Sequence, residues 1–286
     1  MKSGIGPLGR AIAKQIVALI LIIIWLVPAY TMIINGFKTD TEVVSSKALI
    51  PPISFSISAF KTAWSGLEGP ILNSLSVIVP VSIISAVLGA MGAYYLISLT
   101  TSFRHRERII GSLVFSLVTL GTFIPYQATI MPLSKLMAET DLLGTYLGTI
   151  LAYLVFYLPT GALLMSIFLA VVPSRLIEAA KIDGANDLRI FFRVVLPASL
   201  PGFIATLIFI FIMSWNVFFL PLVLVTNPSS QLIPVAVDSY TGGFGTLYNA
   251  SFAAAIIASI VPLVLFLFLG RYFIKGLMAL GSGGKI

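Results

Sequence analysis

The sequence predicts an all-α, polytopic membrane protein with six transmembrane helices and a short helix in the loop between the fourth and the fifth. Three observations predict it. Of 286 residues, 58% are hydrophobic and only 9% charged, with a mean hydropathy of +1.07; a soluble domain carries about 25% charged residues. Six stretches of 23 to 44 residues contain no Asp, Glu, Lys, Arg or His, and about 20 apolar residues of helix cross a bilayer core. The 17 basic residues also divide unequally between the two sides that six spans define, 13 against 4.

The first stretch, 15–37, holds a span at about 16–34. Its apolar run exceeds the roughly 7–15 residues of a secretory signal core and no A-x-A cleavage site follows, so it reads as a retained helix. The second and third stretches hold spans at about 71–99 and 109–131, and the fourth at 145–171. The fifth, 44 residues long, breaks at Asn227-Pro228-Ser229-Ser230, a strong turn signal; its span runs from about 196 to 225. The sixth lies at 251–272. The chain thus reads as a single transmembrane domain, 1–286, with a core at 71–275. The side rich in Lys and Arg carries both termini, and basic residues mark the cytoplasmic face. The net charge of +7 is therefore an orientation signal rather than a nucleic-acid footprint.

Composition also removes whole classes of chemistry. With no cysteine and one histidine, His105, there is no disulfide, thiolate site or histidine metal cluster. No catalytic constellation and no G-x-x-x-x-G-K-[ST] nucleotide loop is present. The spans hold no ionisable Asp, Glu, Lys, Arg or His, whereas proton- and ion-driven transporters keep such groups in the membrane as relays. A secondary transporter is therefore the weaker alternative. The remaining in-span polarity is neutral. Asn73, Gln127, Trp215 and Asn216 are candidates for a path taken by an uncharged, hydroxyl-rich solute, with the indole facing C–H groups and the amide facing hydroxyls. The alternative for each is helix–helix hydrogen bonding. Gly89-Ala90-Met91-Gly92-Ala93 and Ala253-Ala254-Ala255 are small-residue runs that permit close helix approach.

The loop between spans four and five, 173–197, is the most informative segment. Ser174 follows Pro173 and is placed to cap a helix bearing Leu176, Ile177, Ala179 and Ala180. Gly184 is a natural terminator because it accepts positive φ. Asn186 or Asp187 then caps a second helix bearing Leu188, Phe191, Phe192 and Val195.

The spacing Glu178-Ala179-Ala180, three residues, Gly184, nine residues, Val194, then Leu196-Pro197 resembles the EAA loop of ABC importer permeases. Asp183 matches the carbohydrate branch. So do Asn73-Ser74-Leu75, Pro132-Leu133, Gly144-Thr145 and Pro159, while Trp215-Asn216-x-Phe218 with Pro221-Leu222 resembles the family's span five and Arg271-Tyr272-Phe273-x-x-Gly276-Leu277 its C-terminal end. The resemblance covers most of the chain and is nearest to six-span permeases of the maltose-transporter type. Val194 stands where the family usually has Ile, and Val217 where many members have Asp or Glu. The resemblance implies that the loop is a coupling helix docking on an ATPase subunit, through Glu178, Ala179, Ala180, Asp183, Gly184, Leu196 and Pro197. It implies a homologous second permease chain, two ATPase subunits that hold ATP and Mg, and an extracytoplasmic sugar-binding protein, in a prokaryotic plasma membrane. The outer loop 227–249, with Asp238, Gly242, Gly243 and Gly245, is the expected contact for the binding protein. The implied cargo is a sugar; another solute such as glycerol phosphate or a polyamine is the alternative.

Overall fold

The computed structural model describes residues 7–100, 104–242 and 247–281, and among these every regular element is helical. Backbone that crosses hydrocarbon must satisfy its own hydrogen bonds, and helices do so within one segment. Among the described residues four helices are long and apolar enough to cross a membrane: Ala11–Gly36, Ser58–Thr100, Tyr146–Leu169 and Tyr248–Lys275. Two bent pairs, His105–Gly121 with Tyr126–Glu139 and Asp187–Ala198 with Leu200–Trp215, raise the number to as many as six if each pair is one span.

In chain order the helices are α1 (Pro7–Gly36), α2 (Asp40–Ser45), α3 (Ser58–Thr100), α4 (His105–Gly121), α5 (Tyr126–Glu139), α6 (Tyr146–Leu169), α7 (Ser174–Ile182) and α8 (Asp187–Ile190). A π-turn, Phe191–Val195, follows, then α9 (Leu196–Ala198), α10 (Leu200–Trp215), α11 (Phe219–Leu224), a 3₁₀ turn at Pro228–Ser230, α12 (Ile233–Asp238) and α13 (Tyr248–Gly281). The contacts divide the chain into two compact units, Met1–Leu67 with Val237–Ser259 and Glu68–Ala236 with Ile260–Ile286.

In the first unit the segment after α1 folds back on itself. Phe37 stacks on Phe55 with ring centroids 4.6 Å apart, and the Ser56 N–H donates to the Phe37 carbonyl at 2.9 Å. Lys38 is wholly buried. Its ammonium donates to Ser46 Oγ at 3.0 Å and to the Lys47 carbonyl at 3.2 Å, the compensation that a buried polar group requires. Asn249 Nδ2 donates to the Lys38 carbonyl at 3.1 Å. The Tyr240 hydroxyl donates to the Thr62 and Ala63 carbonyls, and burial raises its pKa above the ordinary phenol value.

The second unit is organised on α6, which packs against α10 and α4, while α11 lies on α5. The small-residue run of α3 serves the close approach expected of it. A Cβ on Gly89 would stand 2.6 Å from backbone atoms of Gly161 and Ala162, and one on Gly161 would run into the Ser85 carbonyl.

Two predicted spans are broken rather than continuous. The third divides into α4 and α5, bent by 94°. Pro125 lacks an N–H and disfavours helical φ/ψ at Ile124, so the turn 122–125 interrupts the ladder. The fifth bends by 84° at Ser199 and stops again at Asn216. Pro197 and Pro201 flank the first break and remove two donors. At the second, Asn216 caps α10 with its N–H on the Met213 and Ser214 carbonyls, and its side-chain Nδ2 donates to the Ile212 carbonyl at 2.7 Å. The second predicted span is instead longer than expected: α3 begins at Ser58 and carries Pro70 and Pro80 within it.

Candidate functional site

The loop 173–197 folds as its residue types dictate, with small shifts. The N-cap of α7 is Pro173, with Ser174 the first helical residue. The helix ends at Ile182 with Asp183 as its C-cap, and Gly184 takes φ +76°. The Ala185 N–H donates to the Ala180 carbonyl and the Gly184 N–H to the Lys181 carbonyl, both at 3.0 Å. These two bonds are the Schellman pattern, which satisfies two otherwise orphaned carbonyls. Asn186 caps α8, its Oδ1 accepting the Arg189 N–H at 2.9 Å.

The packing divides the residues of this loop in two. A buried cluster joins Ala90, Ala93 and Tyr94 of α3, Met165 and Leu169 of α6, and Ile190, Phe191 and Val195 of the loop. Ile177, Ala180, Ala185, Val194 and Leu196 pack against it from the side. Ala180 and Leu196 therefore anchor the loop to its own bundle. Glu178, Ala179, Asp183, Gly184 and Pro197 are exposed. Around them lie Leu176, 46% exposed, and Ile182, 86% exposed, apolar side chains without cover from this chain. The adjacent alanines of the motif thus face different ways, Ala179 outward and Ala180 inward.

The π-turn makes the anchoring possible. The Leu196 N–H donates to the Phe191 carbonyl, five residues back. In an α-helix, residues five apart point in directions roughly 140° different. The wider turn brings Ile190 and Val195, 0% and 1% exposed, into the same cluster. Pro197 could not have donated to the Arg193 carbonyl in any case, so the extra residue sits where the ladder is already interrupted. Tyr94 meets Phe191 with centroids 5.9 Å apart. Tyr94, Ala185 and the π-turn were not singled out by the sequence; for Ala185 alone a signal was available, its spacing from the apolar Ile177 and Ala180.

The neutral candidates in the spans have separate surroundings. Asn73 is a clamp: Nδ2 donates to the Ser229 and Gln231 carbonyls at 2.9 and 3.1 Å, and Oδ1 accepts the Tyr146 hydroxyl at 2.6 Å. Beside it Ser74 Oγ accepts the Ile233 N–H at 2.7 Å. Trp215 is 2% exposed and stacks on Phe211 at 5.5 Å. Gln127 and Asn216 are exposed, Gln127 in the first turn of α5 and Asn216 at the end of α10. Asp238 is exposed, and its carbonyl accepts from the Thr241 N–H and hydroxyl at 2.9 and 2.7 Å. Gly242 has open space around it, while Gly243 and Gly245 lie outside the described residues. No group of three or more Asp, Glu, His or Cys that could hold a metal occurs among the described residues.

Comparison with known proteins decides the family. Residues 88–278 match the family described as binding-protein-dependent transport system inner membrane component. The chain belongs to this family. It is 53% identical over 279 residues to the glucose import system permease protein of Saccharolobus solfataricus, covering 98% of this chain and 97% of that one. A diacetylchitobiose uptake permease of Streptomyces coelicolor is 30% identical over 93% of this chain and 94% of its own. The xylose/arabinose import permease of Haloferax volcanii is 28% identical, with 94% and 92% covered. In fold, the chain resembles a bacterial ABC transporter that imports the acidic polysaccharide alginate, with a TM-score of 0.77 at 17% identity over 92% of this chain and 96% of that one. The all-helical reading and the permease fold are borne out. The chain is a transport subunit of an ABC importer in an inner membrane.

Proposed function

We propose that this permease moves a sugar, with glucose or a similar monosaccharide first in order, from an extracytoplasmic binding protein into a prokaryotic cytoplasm. The observation that carries the reading is the 53% identity to a glucose import permease, sustained over 98% of the chain. An interior without ionisable groups in its spans suits a neutral cargo better than an anionic or polyamine one.

In this reading the two bent pairs count as spans. The chain then crosses the membrane six times within one permease domain with its core at 71–275, and both termini are cytoplasmic. It pairs with a second, homologous permease chain. Two ATPase subunits bind Mg-ATP and dock on α7, with Glu178, Ala179, Asp183 and Gly184 at the contact and Ala180, Leu196 and Pro197 holding the helix in place. Closure of the ATPase dimer moves the loop, and the loop carries α3, α6 and α10 between inward- and outward-facing states. Gln127 and Asn216 are the polar groups available to the cargo. Asn73 and Trp215 support the path from behind, and the outer loop around Asp238 and Gly242–Gly245 meets the binding protein.

The test is purification through a tag on this chain. The complex should contain a second permease and an ATPase, and its ATP hydrolysis should rise with sugar-loaded binding protein. A chain that purifies without any ATPase, or whose hydrolysis ignores every sugar, overturns the reading.

A further inference from the structure

The segment Asp187–Ala198 meets α10 at 84°. Helix α10 packs along α6, a 24-residue helix apolar enough to span the bilayer. With α10 aligned to those spans, Asp187–Ala198 lies nearly in the plane of the membrane. Its inner face, Ile190, Phe191 and Val195, is occupied by the bundle. Two further stripes, each at a spacing of four, remain uncovered by this chain. Leu188 and Phe192 are 58% and 49% exposed, and Arg189 and Arg193 stand beside them, both exposed. Neither guanidinium has an ion-pair or hydrogen-bond partner among the described residues. The only acidic groups of the loop are Glu178, Asp183 and Asp187, and none follows before Asp238.

The geometry points to a lipid-binding surface: Asp187–Ala198 is an in-plane amphipathic segment that sets Leu188 and Phe192 at the acyl boundary and Arg189 and Arg193 on anionic headgroups of the cytoplasmic leaflet. A helix lying in the interface has this composition, an apolar stripe flanked by basic residues. Anionic lipid attracts each Lys or Arg near the surface, and the attraction is screened by salt. The apolar stripe directly precedes a span and points away from the bundle core, which favours lipid over the ATPase as its cover. The consequence for coupling is mechanical. The bundle cluster holds α7 from above, and the headgroups hold the following segment at a set depth, so a push on α7 is delivered to α10 instead of being lost in tilting. This inference rests on the cytoplasmic placement of the loop only for which leaflet is involved.

The test uses the complete transporter in nanodiscs of phosphatidylcholine, with and without about 30 mol % phosphatidylglycerol. The chain has no cysteine, so Leu188→Cys, Phe192→Cys and, as an aqueous reference read on permease nanodiscs that lack the ATPase, Ile182→Cys each carry a single spin label. The labels at 188 and 192 should be accessible to oxygen and protected from a water-soluble nickel complex. Phosphatidylglycerol should deepen that protection, and high salt or the double substitution Arg189→Gln, Arg193→Gln should shift it toward the value at 182. Labels at 188 and 192 as open to nickel as the label at 182 would overturn the inference. So would labels shielded from both reagents whatever the lipid, which would assign the surface to a protein partner. A nanodisc exposes both faces and the readout is not transport, so failure here is separable from failure of the transport reading.

Discussion

Ala179 and Ala180 are adjacent in a motif that treats them alike, yet the structure gives them opposite duties. Ala180 leans on the cluster of Tyr94, Met165 and Phe191, all 8% exposed or less. Three added carbons in Ala180→Leu press into that cluster, and overpacking of this kind destabilises by about 1–3 kcal/mol, a change of roughly 5- to 150-fold in the ratio of folded to unfolded protein. Ala179 faces away from the bundle, and a surface change of this type alters stability by about 0.5 kcal/mol or less. The variants should therefore separate in two assays. In thermal unfolding of the detergent-solubilised permease, Ala180→Leu should melt lower and Ala179→Leu should match the parent. In pull-down of the ATPase, Ala179→Leu should release it because the added side chain stands at the contact. Equal melting points for the two variants, or ATPase retention by Ala179→Leu at parental levels, would refute the division of faces.

Three further outcomes follow from the same geometry. Gly184→Val places a β-branched residue at φ +76° with strain of about 1–2 kcal/mol, while Gly184→Asn suffers less; uptake should rank Gly, Asn, Val, although the site has open space around it. Gly89→Leu should prevent stable packing of α3 on α6, since even a Cβ there stands 2.6 Å from backbone, and limited proteolysis of purified protein should show it. Asn73→Ala removes the donor to the Ser229 and Gln231 carbonyls and the acceptor of the Tyr146 hydroxyl. These groups are exposed or half-buried and can turn to water, so the loss is that of ordinary hydrogen bonds, about 0.5–1.5 kcal/mol each, and the 229–231 segment should gain protease sensitivity while ATPase docking is unchanged.

Much of the fold was legible because it rests on one-dimensional signals. The charge-free runs located the four long apolar helices and the two bent pairs, and Gly184 and Asn186 ended and restarted the helices of the loop as their conformational preferences require. The breaks were harder. Pro125 and Pro201 are visible in the sequence, but a proline inside an apolar run can kink, break or sit quietly, as Pro70 and Pro80 do within α3. Only the neighbours decide which. The π-turn left no local signal at all. It exists because Ile190 and Val195 must reach one cluster whose other members come from α3 and α6, a long-range demand. The same limit applies to Trp215 and Asn73. An indole and an amide within a span look alike whether they face a cargo or a neighbour, and here Phe211 takes the indole while the Ser229 and Gln231 carbonyls take the amide. In the charge count Lys38 is one of the 4 basic residues on the less basic side; its burial depends on Ser46 and Lys47, which no periodicity announces.

The decisive measurement is uptake of labelled glucose into proteoliposomes that contain the purified complex. Enclosed ATP and external binding protein should both be required, and uptake should stop when either is omitted or when Ala179→Leu uncouples the ATPase. An imposed proton or sodium gradient should not replace ATP. Uptake driven by such a gradient without ATP would contradict the assignment of this chain to an ATP-coupled sugar importer, and so would ATP-driven uptake of an anionic solute but no sugar.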